Sequence, residues 1–409
     1  MSDALLLMQK DRVVMEINFD EGVYTVVNGK YLPYQLRGRL PRIPDFSEIK
    51  SRHDDIQRTV AMNKCYNSVI SFLSSRVLPL SRENAKKIYN LFGFAQLQDE
   101  VSKAKIALVC RAVSLQDDYW VKLENDTIKW ADINLRTNHL SEIVAQVSLH
   151  GSSLSLQGAV HTPELTGQGA YAKAWIREKD GLYLYKKGAK DCTESKIEVE
   201  VSNILDACNV PHIKYLADNS QGDYTCKCRC MTTEDLSILP GMDFISYCNV
   251  NGLDYREEMM HIDSEMIYKM WIVDYLVSNR DRHGLNWGFF YNSDTMDIIG
   301  CHPLFDHNNS FDKAIMENEN AEYLFDNTMT MKQAARIAMQ RVDFHFTRKL
   351  TRSDFLTTRH YESFMKRAKE LNIPVKENEL DEDINNVDIS LDEERRQKDV
   401  VSKNTEERV

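Results

Sequence analysis

The chain is most distinctive at residues 279–286, which read Asn-Arg-Asp-Arg-His-Gly-Leu-Asn, and at residues 303–306, which read Pro-Leu-Phe-Asp. These segments place Asp281 five residues before Asn286, and Asn286 twenty residues before Asp306. Phosphoryl-transfer sites use this set, in which one Asp accepts a proton while the Asn and the second Asp hold magnesium. The spacing fits, because a side chain one turn after the first Asp faces the same cleft and magnesium prefers oxygen ligands. The two segments therefore predict a phosphoryl-transfer site.

The residues that flank this loop predict the element order of a kinase C-lobe. Before the loop, apolar residues at i, i+4, i+7 and i+11 predict a helix: Met266, Met270, Val273 and Val277. Asp263 or Ser264 is suited to cap its N-terminus. After the loop, residues 287–291 and 295–300 predict two strands joined by a polar turn, and the second strand leads to Asp306.

Composition and charge limit the classes of function. The chain has 409 residues, of which 43% are hydrophobic and 28% charged, as in a soluble globular protein. Its net charge of −11 argues against direct nucleic-acid binding through a broad basic face. The sequence contains no apolar run long enough for a membrane span and shows no signal peptide at its start. Nine cysteines without a secretory signal favour a reducing, cytoplasmic setting with free thiols.

Local patterns divide the chain into parts. Strand and hairpin signals occupy residues 11–36, and the remaining periodicities predict helices at 54–74, 81–93, 97–112, 194–207, 331–342 and 353–371. Residues 376–408 hold twelve acidic and six basic residues, a net charge of −6. That composition predicts a disordered tail over 375–409.

A glycine-rich turn is predicted at residues 166–175, which begin Thr166-Gly167-Gln168-Gly169. Glycine at two of these positions allows backbone N–H groups to approach phosphates closely. The pattern is G-x-G-x-x-A, so the third glycine of the usual turn is missing. Its position upstream of Asp281 nevertheless favours a nucleotide-phosphate contact at Gly167 and Gly169.

A strand over residues 182–187 ends in Lys186 and Lys187. A kinase N-lobe needs a lysine at such a place to pair with the nucleotide phosphates. Strand alternation puts Lys186 on the same face as the apolar Leu182 and Leu184. This favours Lys186, with Lys187 as the second choice.

The next helix, predicted at 194–207, should supply the acidic partner of that lysine. Glu198 borders its apolar stripe on one side and Glu200 borders it on the other. We favour Glu198 and leave Glu200 open.

Three cysteines alternate at positions 226, 228 and 230. A spacing of two residues points all three thiols to one face of a strand, which does not suit a tetrahedral zinc site without further ligands. The pattern favours a buried strand leading into residues 232–235, which in a kinase would form the hinge over the adenine.

Taken together, the motifs resemble the bacterial HipA-like Ser/Thr protein kinases over about residues 155–372. The Asp-Arg-His-x-x-Asn core is also similar to the phosphatidylinositol 3/4-kinase superfamily, to which HipA kinases are related. The resemblance implies an α+β, bilobal protein-kinase-like fold with a small β-rich N-lobe and a mainly helical C-lobe. Its expected parts are an N-terminal α/β subdomain (1–155), the N-lobe (156–235), the C-lobe (236–374) and the charged tail (375–409).

The same resemblance implies a role for each candidate residue. Asp281 would be the catalytic base, and His283 would touch the transferring phosphate or brace its loop. Asn286 and Asp306 would bind magnesium, and Lys186 with Glu198 would position the nucleotide. Some members of the family are inhibited by autophosphorylation in the glycine-rich loop. The matching hydroxyl here is that of Thr166, with Thr162 second.

Cofactors and partners follow from the resemblance as well. ATP and Mg²⁺ are the expected cofactors, and the Ser/Thr hydroxyl of a protein is the expected acceptor. Toxin members of the family pair with a DNA-binding antitoxin, so a partner of that type is a further expectation. The loop spacing and the acidic tail depart from the toxins and weaken the expectation of a growth-arresting toxin.

Two other functions stay open. One is a lipid or small-molecule kinase, which an amphipathic basic surface would favour, but no such surface is visible in the sequence. The other is a nucleotide-binding pseudokinase that acts as a regulatory, partner-binding module. The presence of Asp281, Asn286 and Asp306 together counts against the second, while the incomplete glycine pattern favours it.

Overall fold

The computed structural model describes residues 4–18, 23–94, 99–155, 162–165, 169–189, 191–318 and 320–374. Thr166 and Gly167 of the glycine-rich turn lie outside the described residues. The tail predicted over 375–409 also lies outside them.

The fold is mixed α+β, with three antiparallel sheets in the described part of the chain. The strands are β1 (Leu5–Gln9), β2 (Arg12–Asn18), β3 (Val23–Val26), β4 (Tyr119–Leu123), β5 (Lys173–Glu178), β6 (Gly181–Lys186), β7 (Tyr215–Asp218), β8 (Thr225–Arg229), β9 (Leu236–Pro240), β10 (Gly288–Asn292) and β11 (Ile298–Cys301). The α-helices are α1 (Arg52–Ser75), α2 (Ala85–Leu91), α3 (Glu100–Val109), α4 (Trp130–Ile133), α5 (Glu142–His150), α6 (Thr193–Leu205), α7 (Gly241–Val250), α8 (Tyr255–Leu276), α9 (Lys313–Glu317), α10 (Met331–Met339) and α11 (Thr358–Glu370).

The N-terminal part is built on a sheet of order β3-β2-β1-β4. All five residues of β1 are buried, because this strand pairs with β2 on one side and β4 on the other. The sequence patterns predicted β2 and β3 but missed β1 and β4. A central strand reads as a continuous apolar run, and Leu5-Leu6-Leu7-Met8 has no alternation to reveal it.

The second sheet has the order β5-β6-β8-β7 and carries the predicted lysine strand. Lys186 at the end of β6 lies opposite Lys173 on β5 and Cys226 on β8. Cys226 and Cys228 are both buried, as the alternation of thiols predicts for one strand face. Helix α6 packs against β7 and β8, so its inner face looks toward the end of β6.

The third sheet, of order β11-β10-β9, lies against the C-terminal helices. Gly288 begins β10 opposite Pro240, and a Cβ atom there would lie 2.3 Å from the carbonyl oxygen of Leu239. Only glycine permits this close approach of two strands. The strand that follows residues 279–286 is therefore anchored directly on β9.

Helix α8 consists of two helical segments that meet at a kink. Asp263 has non-helical φ and ψ angles of −159° and 71°, and its carboxylate accepts a hydrogen bond from the backbone N–H of Met266 at 3.1 Å. The residue therefore caps the second segment, which is the role predicted for Asp263 or Ser264. The second segment leads straight into the loop at residues 279–286.

Polar contacts tie the N-terminal sheet to the rest of the molecule. Lys10 and Arg12, at the β1–β2 turn, both contact the carboxylate of Asp294 in the β10–β11 turn at 3.1–3.2 Å. The buried Gln9 side chain donates to the carbonyl of Ser293 at 2.6 Å. The N-terminal part therefore packs directly on the C-terminal part.

All nine cysteines are free thiols. Within the ranges that the structure describes, helices fall short of the length and apolar content that a membrane crossing requires.

Candidate active site

The predicted site residues converge on one cavity of about 300 Å³. It lies between the β5-β6-β8-β7 sheet, helix α6 and the loops that follow α8 and β11. Seven of the residues predicted to contact the nucleotide phosphates, the metal or the acceptor line this cavity: Gly169, Lys186, Glu198, Asp281, His283, Asn286 and Asp306. Segments separated by more than a hundred residues in sequence thus border a single cleft.

Lys186 is the centre of the charged contacts in this cavity. Its Nζ lies 2.5 Å from Glu198 Oε1, 2.7 Å from Asp306 Oδ1 and 3.1 Å from the Tyr215 hydroxyl. Burial would lower the pKa of the Lys186 ammonium, but the carboxylates of Asp306 and Glu198 raise that pKa well above its ordinary value. Lys186 is therefore a fixed cation at the end of β6.

The alternative residues Lys187 and Glu200 point elsewhere. Lys187 pairs with the exposed carboxylate of Asp223 at 2.6 Å. Glu200 is buried and accepts hydrogen bonds from the His360 ring and the Leu356 N–H at 2.9 and 2.8 Å. The ion pair in the cavity is the one the sequence favoured, while its role in binding a nucleotide stays a prediction.

Asp306 adopts a backbone conformation that is unusual for a residue with a side chain. Its φ is +60°, in the left-handed region, which costs free energy and persists where the surroundings enforce it. The next N–H, that of His307, donates to Glu198 Oε2 at 2.9 Å and so fixes the turn. Burial alone would raise the pKa of the Asp306 carboxyl, but Lys186 and Lys173 hold that pKa well below its ordinary range. Asp306 therefore presents an ionised carboxylate.

Arg282 connects the segments 279–286 and 303–306 through hydrogen bonds inside the protein. Its guanidinium donates to the backbone carbonyl of Asn286 at 2.6 Å and to that of Phe305 at 2.9 Å. Two further bonds, at 3.0 and 2.7 Å, go to the carboxylate of Asp274 on α8. Arg282 thus holds the loop of residues 281–286 at a fixed distance from Asp306.

Asp274 completes this internal centre, which the sequence reasoning missed. Besides Arg282, the side chains of Asn279 and Tyr323 donate to its carboxylate at 3.1 and 2.5 Å. One signal was available, because Asp274 occupies a buried position in the apolar helix pattern that ends at Val277. A charged residue in such a position needs a partner, and Arg282 supplies it.

Asp281 and Asn286 are oriented by hydrogen bonds within their own loop. The Asn286 amide nitrogen donates to the Asp281 carbonyl at 2.9 Å, which leaves the amide oxygen for another ligand. The Asp281 carboxylate accepts from the Asn309 amide at 2.7 Å. His283 is exposed on the cavity wall, where its Nδ1 accepts from the Leu285 N–H at 3.2 Å.

The donor set of the cavity fits a magnesium–nucleotide complex. Asn286 and Asp306 offer one amide oxygen and one carboxylate, the oxygen ligands that magnesium prefers. In the described ranges there is no cluster of three or more His, Cys, Asp and Glu side chains that could hold a metal without help. Phosphate oxygens and waters would complete the coordination, as is usual when magnesium arrives with a nucleotide.

Lys173 is a second cation beside this set and was not predicted. Gly169 has a φ of +99°, which favours glycine, and a Cβ atom there would lie 2.3 Å from Lys173 Nζ and displace the ammonium. Burial, with Lys186 and Arg82 nearby, lowers the pKa of Lys173 to about 7. The sequence signal was present, because Lys173 belongs to the same glycine-rich segment.

Residues 170–173 of the glycine-rich segment contact the N-terminal part. The Glu83 N–H donates to the Ala170 carbonyl at 2.8 Å, and the Arg82 guanidinium donates to the Lys173 carbonyl. Thr162 is fully buried and donates to the buried carboxylate of Glu164. Its hydroxyl is therefore engaged inside the protein rather than presented to the cavity.

Comparisons with known proteins found similar solved structures. No protein-family model and no curated relative matches the chain. A proinflammatory kinase of Helicobacter pylori, CtkA, is 13% identical, with a TM-score of 0.38 over 52% of this chain and 90% of its own. HipA of the Shewanella oneidensis toxin–antitoxin system, solved with HipB and operator DNA, is 11% identical, with a TM-score of 0.48 over 90% of this chain and 98% of its own.

Proposed function

We propose that this chain is a HipA-like kinase that transfers the γ-phosphoryl group of ATP, with Mg²⁺, to a Ser or Thr hydroxyl of a protein. The observation that carries the proposal is the contact of Lys186 Nζ with both Glu198 and Asp306, at 2.5 and 2.7 Å, in the cavity that Asp281 and Asn286 also line. A fixed cation, a metal-binding pair and a separate carboxylate are the parts that phosphoryl transfer needs.

In this proposal the Lys186 ammonium pairs with the α- and β-phosphates, and Glu198 holds it in place. Bound Mg²⁺, held by Asn286 and Asp306, would neutralise charge on the phosphate oxygens. The acceptor oxygen forms the new bond to the γ-phosphorus as the bond from that phosphorus to the β–γ bridging oxygen breaks, leaving ADP. Asp281 takes the proton of the hydroxyl, and the Asn309 amide keeps the carboxylate facing the cavity.

Autophosphorylation at Thr166 is a further part of the proposal. Thr166 directly precedes Gly167 and lies three residues before the cavity-lining Gly169. Thr162, the second choice of the sequence, has a fully buried hydroxyl bonded to Glu164, which makes it the poorer acceptor.

The test is incubation of the purified protein with magnesium and γ-labelled ATP, wild type beside Asp281→Asn, followed by mass spectrometry of the protein. Removing a general base should slow transfer by roughly two to four orders of magnitude. Asp343→Asn, in a carboxylate that is 82% exposed, is a matched control that should keep full activity. Chelation of magnesium should abolish the label in every variant.

Each alternative has its own result. Full transfer in Asp281→Asn would disprove the base assignment. ATP turnover without protein labelling, once a lipid or sugar acceptor is added, would indicate a small-molecule kinase. Nucleotide binding with no turnover under any condition would indicate a pseudokinase.

We also propose a cytoplasmic setting and a DNA-binding partner of the antitoxin type. Nine free thiols suit a reducing compartment. The net charge of −11 suits a protein that would reach DNA only through such a partner. A gel-shift experiment with duplex DNA should show no complex for the chain alone at physiological salt.

A further inference from the structure

The N-terminal part of the chain lines the end of the cavity that lies away from Lys186. The phosphate end is marked by Gly169, Lys186 and Asp306, and the opposite end by residues 230–232 together with Ile238 and Pro240. Residues 114–116, which precede β4, line the same cavity. A nucleotide whose phosphates lie at Lys186 would direct its base toward this opposite end.

Residues 114–116 are joined to the hinge by hydrogen bonds. The Thr232 hydroxyl donates to the Leu115 carbonyl at 2.6 Å, and the Ile238 N–H donates to the Gln116 carbonyl at 2.8 Å. One bond is made within the connection between β8 and β9, and the other is made at β9 directly after it. The segment and the hinge therefore form one wall.

Two buried ion pairs hold this segment from behind. The Asp117 carboxylate accepts two bonds from the buried Arg76 guanidinium, at 2.7 and 2.8 Å. The neighbouring Asp118 carboxylate accepts from Arg136 at 2.6 Å. The first pair is bidentate and both pairs are buried, so they fix the backbone that carries Gln116 before any ligand binds.

Gln116 is the exposed member of this wall. Its N–H donates to the Ser114 hydroxyl oxygen at 3.1 Å and its carbonyl is taken by Ile238. Its carboxamide has no hydrogen-bond partner among the residues that the structure describes. A carboxamide offers one donor and one acceptor side by side, which matches the amino group and ring nitrogen of an adenine edge.

We infer that Gln116 recognises the adenine base and that the N-terminal subdomain thereby supplies a specificity-determining wall of the nucleotide pocket. The inference rests on the proposed function, because it assumes that the cavity binds ATP. It goes further by assigning base selection to residues outside the kinase lobes.

The test compares calorimetric binding of AMP-PNP, GMP-PNP and inorganic tripolyphosphate, each with magnesium, to the full chain. Gln116→Ala and the isosteric Gln116→Glu should weaken AMP-PNP binding by roughly threefold to tenfold for each hydrogen bond to the base that is lost. Both variants should reduce the preference for AMP-PNP over GMP-PNP and leave tripolyphosphate binding unchanged. Gln221→Ala, in the β7–β8 turn away from the cavity, should match wild type in all three titrations.

Two results overturn the inference, and they are distinguishable. If wild type binds AMP-PNP and both Gln116 variants bind it equally well, the base-recognition role is wrong while the proposed function stands. If wild type binds none of the three ligands, the nucleotide site itself is wrong. Thermal melts that match wild type would show that a weakened variant is folded.

Discussion

The site contains two clusters of buried ion pairs that differ in what they border. Lys186 with Glu198 and Asp306 lines the cavity, and the Asp306 side chain is still 25% exposed. Arg282 with Asp274 has no contact with solvent, at 0% and 1% exposure. The first cluster can exchange partners with an arriving phosphate or metal, while the second can only hold backbone in place. Similar ion pairs are therefore open to a ligand in one region and enclosed as structural supports in the other.

The largest effect should come from breaking the internal cluster. Arg282→Met leaves the Asp274 carboxylate buried without its cation and removes the link between Asn286 and Phe305. Losing one partner of a buried pair costs about 3–5 kcal/mol, so the free energy of unfolding should fall by that amount. Urea denaturation measures it, with the exposed Arg280→Met as the matched control. If Arg282→Met is as stable as wild type, the Arg282–Asp274 pair does not have the structural role that separates it from the Lys186 cluster.

The cavity cluster should lose activity as well as stability. Lys186→Met removes a preorganised cation from the expected phosphates, so kcat/KM of the folded protein should fall by roughly 10²–10³. The melting temperature should also fall, because the Glu198 carboxylate stays buried without its cation. Lys187→Met removes only a surface ion pair and should leave both quantities near those of wild type. Equal kinetic losses in the two variants would show that the cavity pair has no special role.

The effect that is smallest per pH unit concerns Lys173, and it sharpens the comparison through pH. Its pKa is lowered to about 7, below the ordinary value of 10.5, so between these limits the unfolded chain binds more protons at this site than the folded chain. Stability of wild type relative to Lys173→Met should therefore rise with pH across this window, by at most about 1.4 kcal/mol per pH unit, and stay flat below it. Urea midpoints at pH 6, 8 and 10 measure the difference, and a constant difference would contradict the lowered pKa.

Local patterns predicted the elements that carry the candidate site. The lysine strand β6 and helix α6 lie close to their predicted bounds, and Asp263 caps a helical segment as expected. Periodicity and capping depend on neighbours in sequence, so they can be recognised without the fold. The α+β class was implied by the resemblance to HipA-like kinases, and the described residues form a mixed α+β fold.

The features that the sequence patterns did not predict depend on contacts between residues that are distant in the sequence. Ser81 was predicted to start a helix, but α2 begins at Ala85 after Asn84, which has a φ of +63° and whose side-chain amide donates to the distant Ser148 carbonyl. The positioning role of Arg282 depends on Asp274 and Phe305, which are 8 and 23 residues away. Residues 114–116 gave no motif at all, because their place at the cavity follows only from the packing of the first sheet.

The bonds from Glu83 and Arg82 to the glycine-rich segment bear on where the molecule can be cut. A fragment that begins near residue 156 would keep every signature motif yet lose the donors to Ala170 and Lys173, the acceptors for Thr232 and Ile238, and the partners of Asp294. It would also uncover apolar side chains that now pack against the first sheet. The smallest autonomous folding unit of this protein therefore extends well beyond the segment that its motifs delimit.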